Sequence, residues 1–140
     1  MWNNPFDENG NGYGGGNCDI ENALEVGKRA TQYGMKLLVN LYYSNFWVLP
    51  AKQTVPKERV GMSVEQKANA IYKFTKDGLK KLTDAGVDVG IVQIGNETNG
   101  YMCGEKRWAD IAIMMSSGSK AVREVCPKAL LRCILPIRKR

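Results

Sequence analysis

The stretch DAGVDVGIVQIGNE runs from Asp84 to Glu97. Gly86 can take the left-handed conformation that ends a helix. Val89 to Ile94 is then an almost unbroken apolar run, of the kind a parallel sheet covers on both faces. Gly95, Asn96 and Glu97 follow at once as a polar loop. A helix end, a turn, a buried strand and an acid at the strand's C-terminal end are thus read in one short span.

The same grammar holds on either side. Upstream, Ser63-x-x-Gln66 makes a capping box, and Val64, Ala68, Ile71, Phe74, Leu79 and Leu82 carry a helical period to Ala85. Lys36 to Tyr43 is a second continuous apolar run, expected to be covered on both sides. Before it, Asp19 can cap a helix with Ile20, Ala23, Leu24, Gly27 and Ala30 on one face, ended by Gly34. Downstream, the spacing predicts a helix from Arg107 to Val125 with Trp108, Ile111, Ala112, Met115 and Val122 inward. Pro127 ends it, and Ala129 to Leu135 begins a further strand. Strands alternating with helices call for a parallel sheet with right-handed crossovers. The fold class is α/β, either an open doubly wound sheet or part of a (β/α) barrel. Ser44 to Met62 and Gly95 to Glu105 are long loops that follow strands, which is where a barrel keeps its catalytic groups.

Composition narrows the chemistry. The chain has 140 residues, 44% of them hydrophobic, which is enough for one core. It has no apolar run of about 18 residues and no signal-peptide pattern, so neither a membrane span nor a secretion signal is expected within it. The +6 net charge comes largely from Arg132, Arg138, Lys139 and Arg140, which leaves no basic face for nucleic acid or a membrane. Cys18, Cys103, Cys126 and Cys133 have neither metal-site nor disulfide-framework spacing. With no histidine anywhere, imidazole bases and histidine zinc motifs are excluded, and carboxylates must carry any catalysis.

The glycine-rich stretch Asp7 to Asn17, DENGNGYGGGN, imitates two ligand motifs. As a calcium loop it fails at the twelfth position, where Cys18 stands in place of the closing glutamate. As G-x-G-x-x-G it fails because Gly16, Asn17 and Cys18 stand between the glycines and the helix they should open, and the next strand ends in Asn40 and Leu41 without an acid. A loop that uses glycine for positive φ is the plainer reading, and no cofactor is called for.

Glu97 is the candidate proton donor. Apolar walls around a carboxyl at a strand end would raise its pKa toward the working pH, and Asn96 can donate to a substrate hydroxyl. An N-cap or a solvated loop acid is the competing account of the pair. Trp2, Tyr42, Tyr43, Phe46 and Trp47 fall at strand ends or in the loops after them, where rings can stack on sugar faces. Local packing is the alternative for each, and the preferred one for Phe46.

Three segments taken together carry a family resemblance: WNNPFDENGNGYGGGNCDIENALEVGKRAT, then YYSNFW with PAKQ, then DAGVDVGIVQIGNETNGYMCGE. Over roughly residues 1–130 the chain resembles the arabinogalactan endo-β-1,4-galactanases of glycosyl hydrolase family 53. The resemblance implies a partial (β/α)8 TIM barrel, approximately strands two to four with their helices and the start of strand five. It implies retaining hydrolysis of β-1,4-galactan or arabinogalactan by two glutamates whose carboxyls lie about 5–5.5 Å apart. Glu97 matches the acid/base and Asn96 the residue at the sugar 2-hydroxyl. No position matches the nucleophile, expected on strand seven. Trp2, Asn3, Tyr43 and Trp47 complete the expected sugar-binding set, and a secreted or periplasmic setting is implied.

The chain departs from the family pattern in two places. Tyr42 to Pro50 reads YYSNFWVLP where relatives read H-Y-S-D-F-W-A-D-P, which loses a histidine and two aspartates. Residues 131–140 read as a one-base shift of a strand-five sequence, V-A-L-H-F-T-N-P-E-K. The expected organisation is therefore a barrel portion over 1–130 and a frameshifted basic tail over 131–140. The alternatives are a non-catalytic galactan-binding remnant and a related retaining β-glycanase of changed specificity. Self-association through open barrel edges is also expected.

Overall fold

The computed structural model describes residues 1–7, 9–12, 18–50, 52–98 and 100–133. Residues 13–17 of the glycine stretch and residues 134–140 of the expected tail lie outside these. In chain order the elements are α1 (Ile20–Gln32), β1 (Leu37–Leu41), α2 (Val64–Asp84), β2 (Val89–Ile94), α3 (Trp108–Val125) and β3 (Leu130–Arg132). A single 3-10 turn, Lys57–Arg59, interrupts the connection from β1 to α2.

The caps form as the sequence predicts. The Asp19 side chain accepts from Asn22 N at 2.9 Å. Ser63 and Gln66 close their box reciprocally, an arrangement contributing about 1 kcal/mol. Gly34 and Gly86 follow α1 and α2 with φ of 71° and 79°.

The three strands are parallel and stand side by side in sequence order. Registration aligns Val39 with Val92 and Leu131 on one face, and Leu38 with Ile91 and Leu130 on the other. Consecutive parallel strands, each joined to the next by a crossover helix, make an arc of a (β/α) barrel. α2 and α3 cover the first face. Ile71, Leu79, Leu82, Ile94, Ile111 and Met114 are fully buried there, each worth about 2 kcal/mol of apolar burial.

Two expectations need correction. β1 is covered on one side only, because its inner face opens to solvent: Leu38 is 44% exposed and Leu130 in β3 is 67% exposed. In α3 the buried stripe is Ile111, Met114, Gly118, Ala121 and Val122, while Trp108 is 48% exposed and Ala112 also faces out. Gly118 sets that rotation. A Cβ there would stand 2.8 Å from Tyr43 Oη and 3.2 Å from Ile94 Cγ2, so only a bare glycine lets this face approach the sheet.

The first residues run alongside β1. The Met1 amine donates to Asn40 O, Tyr42 N donates to Met1 O at 3.0 Å, and Asn3 N donates to Ser44 O at 2.7 Å. Burial pushes that amine down from 8.0 to about 6, with Cys18 acting weakly in the other direction. Among the described residues no helix is long and apolar enough to cross a membrane, and no disulfide joins the four cysteines.

Candidate active site

β2 delivers its C-terminal end as Ile94-Gly95-Asn96-Glu97. Gly95 takes φ of 72° and Glu97 φ of 49°, so the backbone turns sharply as it leaves the sheet. Glycine is required at the first of these positions, because a Cβ would lie 2.6 Å from Thr98 Cγ2. Thr98 itself is fully buried under the turn. Glu97 is left half-buried at the rim of the arc.

Asn96 is held from the strands below. Asn40 Nδ2 donates to its Oδ1 at 2.9 Å and Gln93 Nε2 donates to the same atom at 3.3 Å. Asn40 and Gln93 are register partners on the inner face. With Oδ1 engaged twice, Asn96 has its amide hydrogens to offer a ligand, which suits donation to a hydroxyl. Gln53 enters from the long loop, and its Nε2 donates to Asn96 O at 2.9 Å and to Glu97 O at 3.2 Å.

After β1, the strand paired with β2, comes an aromatic ledge. Tyr42 packs on Trp47 with ring centroids 6.0 Å apart, and Trp47 meets Trp2 edge-on at 5.6 Å. The Tyr42 hydroxyl is pushed up by burial first, then by Cys18 and by Glu97, so Tyr42 and Glu97 share one electrostatic neighbourhood. Trp47 is 52% exposed and presents an open ring.

Glu97 and Asn96 after β2, and Tyr42 with Trp47 after β1, thus lie at the same end of two paired parallel strands, whereas other expected contacts do not reach it. Tyr43 is corrected to a core residue: it is 1% exposed, its hydroxyl lies 2.8 Å from Thr75 Oγ1, and burial pushes its phenol far up. Trp2, 2% exposed, supports Phe46 and Trp47 from beneath and offers no free face. The Asn3 side-chain oxygen is taken by Arg59 Nη2 at 2.6 Å. Asn40, Gln93 and Gln53 were missed as parts of the site, whereas Tyr42 was among the rings expected to stack. Strand alternation was the available signal for Asn40 and Gln93, since residues 40 and 42 share the inner face.

In the glycine stretch, the Asp7 carboxylate accepts from Asn9 N, Asn11 N and Asn11 Nδ2 at 2.8–3.0 Å. Among the described residues no cluster of acids and cysteines is arranged to hold a metal ion.

An acid at a strand end, an amide donor next to it and an exposed ring are the groups this end of the sheet presents to a ligand. Residues 1–135 match the model of Glycosyl hydrolase family 53. The chain belongs to this family. Among family 53 relatives, it is 52% identical over 124 residues to the endo-β-1,4-galactanase of Bacillus subtilis, covering 89% of this chain and 29% of that protein. It is 32% identical over 128 residues to an arabinogalactan endo-β-1,4-galactanase of Humicola insolens, covering 89% and 36%. A solved family 53 catalytic domain from Ignisphaera aggregans superposes with a TM-score of 0.87 at 31% identity, covering 96% of this chain and 38% of that one. A fungal β-1,4-galactanase structure gives 0.78 at 30% identity, covering 96% and 40%. The chain therefore spans 29% and 36% of the length of these two curated relatives, and its fold is part of a (β/α)8 barrel.

Proposed function

We propose that this chain contributes the acid/base half of an endo-β-1,4-galactan hydrolase. Glu97 protonates the departing glycosidic oxygen and then takes a proton from the water that completes turnover. Asn96 donates to the sugar 2-hydroxyl, and Trp47 with Tyr42 supports an adjoining sugar ring by stacking. The observation that carries this reading is Glu97 at the C-terminal end of β2, pinned through its backbone by Gln53 from the loop that carries the exposed Trp47. The second carboxylate of a retaining pair, about 5–5.5 Å away, has no counterpart in this sequence. The chain alone is therefore expected not to turn over substrate. Galactan is too large to cross a bilayer, so the complete enzyme would meet it outside the cytoplasm.

The test uses a hybrid in which residues 1–130 replace their counterpart in the Bacillus subtilis galactanase. The hybrid should cleave β-1,4-galactan, and Glu97→Gln should lower kcat/KM about 10²–10⁴-fold. A nitrophenyl glycoside, whose leaving group departs without a proton, should lose far less. Undiminished galactan cleavage by the Glu97→Gln hybrid would remove the acid/base assignment. Cleavage of another β-glycan in preference to galactan would replace the substrate class.

A further inference from the structure

Gln53 is 2% exposed, between the exposed Lys52 and Thr54 of the long loop after β1. Its side-chain nitrogen faces three main-chain carbonyls: Asn96 O at 2.9 Å, Glu97 O at 3.2 Å and Leu49 O at 3.2 Å. Its own carbonyl accepts from Gly104 N at 3.0 Å. One residue therefore ties the start and the end of the β2–α3 loop to the loop that carries Trp47. The two loops are pressed together beside it, since a Cβ on Gly104 would fall 2.2 Å from Val55 Cγ2.

The backbone that Gln53 grips is itself strained. Glu97 has φ of 49°, a conformation that residues with a side chain adopt only where their surroundings impose it. Its peptide carbonyl and the one before it are the two that Gln53 holds. A glutamine suits this position because it is a neutral donor that can be buried. A carboxylate would set acceptor against acceptor, and an apolar side chain would leave buried carbonyls unpaired.

We propose that Gln53 is a positioning residue for the acid/base. It holds the Glu97 backbone in its left-handed conformation and fixes the carboxyl relative to the Trp47 ledge. The proposal rests on the reading of Glu97 given above. It also accounts for how a long, exposed loop keeps its tryptophan in register with the acid.

Two measurements test it. In the 140-residue chain labelled with carbon-13, Gln53→Leu and Gln53→Met should move the Glu97 Cα resonance out of the left-handed range while Ile71, Leu79 and Val92 keep theirs. An unmoved Glu97 resonance would overturn the proposal. In the hybrid enzyme, the same variants should lower kcat/KM on galactan, which reports the step that needs the acid, about 10–100-fold. The loss in kcat/KM should be much smaller on the nitrophenyl glycoside, and Val60→Ala, an exposed change in the same loop, should have no effect. An unchanged kcat/KM on galactan, or equal losses in kcat/KM on both substrates, would also overturn it. The Glu97→Gln hybrid reports separately on the acid/base reading, so the two can fail independently.

Discussion

The Met1 amine stands in a buried position against Asn40 O, and burial lowers it from 8.0 to about 6. In the unfolded chain the amine titrates near its ordinary value, so between these limits the unfolded state binds more protons than the folded one. Stability should then rise with pH through that window and fall as the pH drops from about 8 to 6, by about 2–3 kcal/mol at 1.36 kcal/mol per pKa unit. Urea melts at the two ends of the window measure it. The same chain with an acetylated N-terminus should show a flat profile, and equal slopes for the two would refute the assignment. Burial also separates two adjacent tyrosines. Tyr42 follows Asn40 onto the inner face, and Tyr43 follows Leu41 into the core, where it takes φ of 55° to reach Thr75. Alternation along the strand could have shown which ring meets a substrate. Composition could not, since both residues are tyrosine and both lie at a strand end.

Helix α3 is seated by the absence of a side chain. Gly118 lies against Tyr43, Ile94 and Ile71, and Gly118→Ala would force a shift in one of them, a change expected to destabilise by about 1–3 kcal/mol. Circular-dichroism melts of the variant test this. A Tyr43→Phe background, which removes the nearest atom, should recover part of the loss, and no recovery would point to another contact. Strand β2 and the two capped helices were legible because glycine stops, Asp19 and the Ser63–Gln66 box are local signals acting within one turn. The inward face of α3 was not. Trp108 and Ala112 suit a core by composition, but the choice between faces was made by a contact with a residue far away in sequence. Gln53 was hidden for the same reason: two of its partners are backbone carbonyls more than forty positions away, and carbonyls leave no trace in side-chain chemistry. The ion pair of Lys67 with Glu105 at 2.5 Å, joining α2 to the β2–α3 loop, is another long-range tie without a local pattern.

Across the whole molecule, Leu38, Ile91 and Leu130 form one row over the three strands, and no described element covers it. Such a face, next to an open strand edge, favours association between copies. The 140-residue chain should therefore migrate in size-exclusion light scattering above its 15.6 kDa monomer mass, and Leu38→Glu with Leu130→Lys should return it toward monomer. A monodisperse wild-type monomer with a sharp two-state melt would sink this expectation. The consecutive order of the strands has one more consequence. Each stave of the cylinder lies against the stave made just before it, so a nascent polypeptide leaving the ribosome always finds its next mooring already built. Synthesis and assembly can then proceed in the same direction.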